Sequence, residues 1–254
     1  MNRNSPLARP SAVYVFGTCI VDLFFPTAGM SAIKLLEREG IRVMYPQAQS
    51  CCGQPAYSSG FREEARTVAL SQIDAFAGDE PIVVLSGSCA GMMKHHYPTL
   101  FKDHPREAEV LKFSARIYEF TRFLVDVLQI DLQDMGEPVE VALHTSCAAR
   151  REMNVRDSSL QLLDKLHNVT LLTHDHESEC CGFGGTFSVK HPDISAAMVC
   201  DKTAALKATG ASQVVSADCA CLLNINGALT KQASPLRGKH LADFIWTRTT
   251  GEPL

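Results

Sequence analysis

Short apolar runs and longer amphipathic stretches alternate along this 254-residue chain, and the alternation itself predicts most of its elements. Val13 to Phe16, Ile41 to Tyr45 and Pro81 to Leu85 read as strands in the first half, and Val141 to Leu143, Val169 to Thr173 and Ala211 to Val215 in the second. Between them, apolar positions recur at helical spacing over Ala32 to Arg38, Arg62 to Phe76, Ser159 to Leu166 and Ile194 to Ala208. Strands separated by helices argue for parallel sheets joined by crossovers.

The runs come in two sets. Val13 to Gly17, then Thr18 and Cys19, has its counterpart in Val141 to Thr145, then Ser146 and Cys147, so residue 19 maps onto residue 147, an offset of 128. Cys51-Cys52-Gly53 maps onto Cys180-Cys181-Gly182 at an offset of 129. Cys89 maps onto Cys219 or Cys221, at 130 or 132. Three landmarks in one order at near-constant offset indicate a duplication. The turn signal Gly136-Glu137-Pro138 places the boundary there, with units at 1–136 and 137–254. The expected fold is α/β, two tandem pseudo-symmetric Rossmann-like units with small parallel sheets.

Each duplicated cysteine lies just past the carboxyl end of a predicted strand. Loops leaving those ends share one edge of an open parallel sheet, where ligands bind. Cys19, Cys51, Cys52 and Cys89 would therefore meet at one edge, and Cys147, Cys180, Cys181 and Cys221 or Cys219 at another. Adjacent side chains on an extended strand point to opposite faces, so the chain must turn at each Cys-Cys pair. Gly53 and Gly182 supply that turn and let backbone approach a bulky group. Cys200, inside a helical pattern, matches nothing in the first half and is expected to pack.

Ten cysteines in a chain with no recognisable export signal suit thiol chemistry in a reducing compartment better than disulfides. Four soft thiolates suit an iron–sulfur cluster or zinc. Compact C-x2-C knuckles, the usual zinc signature, are absent, which favours the cluster. With 46% hydrophobic residues there is material for a proper core, and a net charge of -4 with interspersed signs offers no footprint for nucleic acid. The apolar stretch from Ala12 to Phe25 is broken by Asp22 and stopped by Pro26, too short to span a bilayer.

Other features have blander readings. Gly87-Ser88-Cys89-Ala90-Gly91 mimics a nucleophile elbow, but leaves the duplicated Cys-Cys-Gly motifs unexplained. Gly182-Phe183-Gly184-Gly185 fails the dinucleotide fingerprint, whose third glycine would fall on Phe187, and reads instead as a turn around a cofactor. His95, His96 and His144 are ordinary helix or core histidines unless brought to a cofactor. Arg150, Arg151 and Arg156 form a solvated basic run, or a source of positive field beside a cluster.

On these residues the chain resembles the cysteine-rich CCG-domain proteins, whose half-motif is a Cys, a Cys-Cys-Gly about thirty residues on, and a later Cys-bearing loop. Cys180 to Lys190, Gly87-Ser88-Cys89-Ala90-Gly91-Met92 and His95-His96-Tyr97-Pro98 are similar to the lactate-utilisation branch. The resemblance implies an electron-transfer subunit of an oxidoreductase assembly that converts L-lactate to pyruvate and does not act alone. Its partners would be protein subunits, one carrying ferredoxin-like clusters, in the cytoplasm or held at the inner membrane through them. It also favours Cys221 over Cys219, because the family's Cys-Leu-Met-Asn-Ile falls on Cys221 to Ile225. The related heterodisulfide reductase subunit carries a further thiolate where Met92 and Asn224 stand here. That departure makes a four-thiolate [4Fe-4S] cluster the expected cofactor, with zinc in one half, a structural zinc scaffold, or thiol–disulfide exchange as the alternatives.

Overall fold

The computed structural model describes residues 8–252. Residues 1–7, part of the segment where no export leader is expected, and residues 253–254 lie outside the described residues. Two four-stranded parallel sheets make up the fold. The first holds β1 (Ala12–Phe16), β2 (Arg42–Met44), β3 (Ile82–Val84) and β4 (Ile117–Glu119), in the order β2-β1-β3-β4. The second holds β5 (Val139–Leu143), β6 (Val169–Leu172), β7 (Gln213–Ser216) and β8 (Gly238–His240), in the order β6-β5-β7-β8. The register repeats too: Ala12 pairs with Arg42 and Tyr14 with Ile82, as Val139 pairs with Val169 and Val141 with Gln213.

Helices cover both faces of each sheet, and strand parity decides what they cover. Val13 and Val15 face a core shared by both halves, together with Val141, Leu143 and Val215, whereas Phe16 faces a second core, mostly of the first half but closed by Ala149, Met153 and Val155, and Ala142 a third built from the second half alone. The shared core is built reciprocally. Helix Pro26–Arg38 packs on helix Leu241–Thr250 of the other half, tied by Ser31 Oγ donating to Asp243 Oδ1 at 2.6 Å and Arg38 to Thr249 Oγ1 at 2.8 Å. Its counterpart Arg156–Asp164 packs on the helical segment after β4, where the Thr121 and Ser158 hydroxyls meet at 2.7 Å. The halves thus exchange equivalent helices around a pseudo-twofold axis.

The predicted helices and strands all form, with ends shifted by a few residues. The fourth strands, β4 and β8, are additions to the three expected per half. Each is three residues long, and Gly238-Lys239-His240 carries no apolar alternation by which it could be recognised.

In both sheets the strand order turns back between the first and third strands. That reversal opens a crevice beyond their carboxyl ends. Cys19 follows β1 and Cys89 follows β3; Cys147 follows β5 and Cys221 follows β7. No helix is long and apolar enough to cross a membrane among the described residues.

Candidate metal centre

The turn after β1 is held in a conformation unusual for its residue. Thr18 has φ +58, rare for a β-branched side chain, and its Oγ1 accepts the Val21 amide at 3.2 Å, starting helix Cys19–Phe24 with Cys19 as its first residue. Asp218 does the equivalent work after β7, accepting the Ala220 amide at 3.2 Å. Its other oxygen accepts the Ser88 amide of the first half at 3.2 Å, so one buried carboxylate fixes two cysteine-bearing turns.

The Cys-Cys-Gly turns are pinned from behind. Gln49 donates to Val15 O at 3.3 Å, and His174 Nε2 stands 3.2 Å from Leu143 O, the matching carbonyl. Tyr97 Oη donates to Cys52 O at 2.8 Å, and Asn224 Nδ2 to Cys181 O at 2.8 Å. Asn224, one of the two positions lacking a further thiolate, thus braces the turn, while Met92 is buried in the core. Gly53 and Gly182 have φ +79 and +83, and a Cβ on Gly182 would lie 2.7 Å from Ser195 O. Their amides donate to Cys51 Sγ and Cys180 Sγ, each at 3.4 Å.

All eight duplicated cysteines, Cys19, Cys51, Cys52, Cys89, Cys147, Cys180, Cys181 and Cys221, line one cavity of about 410 Å³. Within the first set the Cys52 thiol donates to Cys89 Sγ at 3.3 Å. Hydrogen bonds from Cys19, Cys52 and the Gly53 amide pull Cys51 far below the usual thiol range, and the donors Cys19 and Cys52 are pushed up by the same bonds and by burial. The second set repeats this around Cys180, served by Cys147, Cys181 and the Gly182 amide. The thiolate, the ligand form of cysteine, is thus favoured at one position in each half, Cys51 and Cys180.

Cys219, the competing residue, is buried in the shared core and does not line the cavity. Cys200, expected to pack, is exposed on helix Pro192–Ala208. The histidines separate as well. His95 is exposed and His96 Nε2 sits 3.2 Å from Glu152, so neither assists Cys89 as a base. His144 is fully buried, with a ring nitrogen and the Cys181 and Cys221 sulfurs all within 4.8 Å of one another. Neither ring nitrogen has a hydrogen-bond partner among the described residues. Burial, then the nearby Lys202 charge, lowers its pKa to about 3, so it is a neutral imidazole. Arg150 and Arg156 converge on Glu177 at 2.8 and 2.6 Å, while Arg151 is exposed.

The residues fit a resident metal group. The donors are soft, they converge in two sets of four, amides already favour a thiolate in each set, and an orphaned imidazole reaches the second. Sequence reasoning passed over Gln49, Gln72, Tyr97, His174, Lys202 and Asp218, all of which hold the cysteine turns through contacts distant in sequence.

Known proteins carry the same pattern. The cysteine-rich domain (CCG) family model matches twice, over residues 13–94 and 141–226. Lactate utilization protein A of Geobacillus kaustophilus is 42% identical over 239 residues, 93% of this chain and 99% of that protein. Lactate utilization protein A 1 of Bacillus mycoides is 40% identical, covering 92% of this chain and 96% of its own length. A crystal structure of a hypothetical protein from Helicobacter pylori superposes with a TM-score of 0.66 at 11% identity, over 96% of this chain and 50% of that one, a likeness of fold alone.

Proposed function

The chain belongs to the cysteine-rich CCG-domain family and, within it, to the lactate utilization protein A group; from that premise we propose that it is an iron–sulfur electron-carrying subunit of a lactate-oxidising assembly. The observation that supports this reading above all is the single cavity lined by both cysteine sets. Cys19, Cys51, Cys52 and Cys89 would hold one cluster, and Cys147, Cys180, Cys181 and Cys221 the other. An iron–sulfur cluster bound by four thiolates supplies reversible one-electron storage.

The protein's own residues make that storage useful. Oxidation of L-lactate to pyruvate releases two electrons and two protons, and clusters held at two sites opening on one cavity would supply one-electron storage for each of the pair. Gly53 and Gly182 direct amides at Cys51 and Cys180, which favours the negative charge gathered there. Asp218 keeps the Cys89 and Cys221 turns in fixed relation across the cavity. On this reading the protein is a carrier that works beside other protein subunits, one with ferredoxin-like clusters, in the cytoplasm.

Anaerobic purification tests the reading. Brown protein containing iron and acid-labile sulfide, with broad visible absorbance that bleaches on reduction, is the expected result. Colourless, iron-free protein with stoichiometric zinc would overturn it in favour of a structural metal scaffold, and redox activity without any metal would replace it with thiol–disulfide exchange.

A further inference from the structure

The duplication makes a residue-by-residue comparison of the two metal sites possible, and matched positions differ consistently in charge. Phe16 ends β1 and is buried in an apolar core; the matching residue after β5 is His144, equally buried. Gln72 and Lys202 match through the glycine turns: a Cβ on Gly53 would meet Ala65 O and Val68, and one on Gly182 would meet Ser195 O and Met198, which aligns helix Arg62–Ala75 with Pro192–Ala208. Both side chains reach back to the segment before their cysteine pair. Gln72 does so as a neutral amide bonded to Ser50 at 2.7 Å, and Lys202 as an ammonium bonded to His176 O. Asp22, three residues after Cys19, has Arg150 as its counterpart three residues after Cys147.

We propose that the second site, not the first, is the one that holds an added electron more tightly, and that His144, Lys202 and Arg150 are the positioning residues that make it so. This rests on the iron–sulfur reading above. Adding an electron makes a thiolate-bound centre more negative, and nearby positive charge and hydrogen bonds to sulfur stabilise that form. Lys202 lies within electrostatic reach of Cys180, Cys181 and Cys221. His144 offers the Cys181 and Cys221 sulfurs a neutral imidazole, either as an N–H donor or as a nitrogen ligand, and imidazole in place of thiolate raises a cluster's potential. Phe16 can do neither. Two carboxylates temper the field: Glu177 is shared by Arg150 and Arg156, and Asp218 borders both sites. A third, Glu179, acts on Lys202 directly, so the cations Lys202, Arg150 and Arg156 about balance the carboxylates around the second site, whereas among the described residues no cation acts on Cys19, Cys51 or Cys52 of the first.

The test is a potentiometric titration of the anaerobically purified protein, followed by electron paramagnetic resonance, with iron and zinc measured on the same samples. Two signals at separate potentials are expected, and Cys147→Ser identifies the second-half signal as the one it alters. Lys202→Gln and His144→Phe, each copying the first half, should shift the higher potential downward and leave the lower one in place. Arg150→Gln, at a partly exposed position, should give a smaller shift in the same direction and covers the case in which the buried variants do not fold. Equal potentials in the parent protein, a second-half signal at the lower potential, or variants that leave the gap unchanged would overturn the inference while leaving the iron–sulfur reading intact. Iron-free protein would overturn both, and the metal assay shows which has failed.

Discussion

In the first half Phe16, Gln72 and Val127 stand where the second half has His144, Lys202 and Arg248, yet the strand order, the cysteine turns and the glycine conformations are the same in both. The backbone plan is set by features present twice: apolar strand alternation, a cysteine just past the carboxyl ends of the first and third strands, and a left-handed glycine after each cysteine pair. The side chains around that plan are free to diverge, and they diverge toward polar and cationic residues in the second half. Duplication therefore preserves the position of the metal sites while letting their surroundings become unequal.

The cysteines are the strongest way to break the likeness. Cys52→Ser and Cys181→Ser each remove a buried thiol from one set, so each should lower iron content by about half, leaving the other site occupied. If either variant loses all its iron, the two sites do not load independently and the comparison of halves fails at its base.

Arg248 comes next in size. Its guanidinium makes a bidentate pair with buried Asp134, at 2.7 and 2.6 Å, and also donates to Gly136 O and Glu137 O, fixing the segment between the halves. Val127, at the equivalent helical position, achieves its burial with no charge at all. Arg248→Ala leaves the Asp134 carboxylate buried without its partner and should cost about 3–5 kcal/mol in urea denaturation. A loss under about 1 kcal/mol, the scale of an exposed pair, would mean that water replaces the guanidinium freely.

The residues closing β4 and β8 sharpen the comparison through pH. Glu119 and His240 both cap the helix that follows, the carboxylate accepting the Thr121 and Arg122 amides and the imidazole the Ala242 amide, and both are buried. Burial raises Glu119 from 4.5 to about 7. Below pH 4.5 it is protonated in both folded and unfolded states; as pH rises toward 7 only the unfolded chain ionises, so stability falls, by up to about 3 kcal/mol, and then levels off. Burial lowers His240 below 6.5, so its contribution is complete above pH 6.5 and is lost as pH falls and the unfolded chain binds the proton first. Glu119→Gln should remove the loss on the rising side and retain the acid one. Denaturation midpoints at pH 5 and pH 8 decide the matter, and an unchanged difference between them in the variant refutes the assignment.

Much of this was legible in the chain because the duplication places cysteines at near-constant offset and the strands that carry them are apolar. β4 and β8 were not: Gly238-Lys239-His240 has no apolar run, and Ile117-Tyr118-Glu119 offers only an apolar pair between two helical segments. The choice between Cys219 and Cys221 could not come from spacing either. Two residues on a helix are separated by about 200°, so only the packed structure tells which faces the cavity and which the shared core. The meeting of both cysteine sets in one cavity depends on helices exchanged between halves, and local sequence pattern carries no trace of that exchange.

The smallest predicted effects test the pseudo-twofold axis itself. Gly87 and Cys219 are equivalent positions, each two residues before a cavity cysteine, and each lies where its helix meets the helix following the other half's first cysteine. On one side Gly87 faces Ala149, whose Cα would lie 2.9 Å from an added Cβ; on the other, Cys219 shares a core with Val21, the counterpart of Ala149. Gly87→Ala overpacks the tighter side and should cost about 1–3 kcal/mol. Cys219→Ala only removes a sulfur from the looser side, which is worth about 1 kcal/mol, and should leave the iron content whole. If Cys219→Ala instead loses iron as Cys221→Ser is expected to, Cys219 is a ligand, and the equivalence of Cys89 with Cys221, on which the matching of the two halves depends, is wrong.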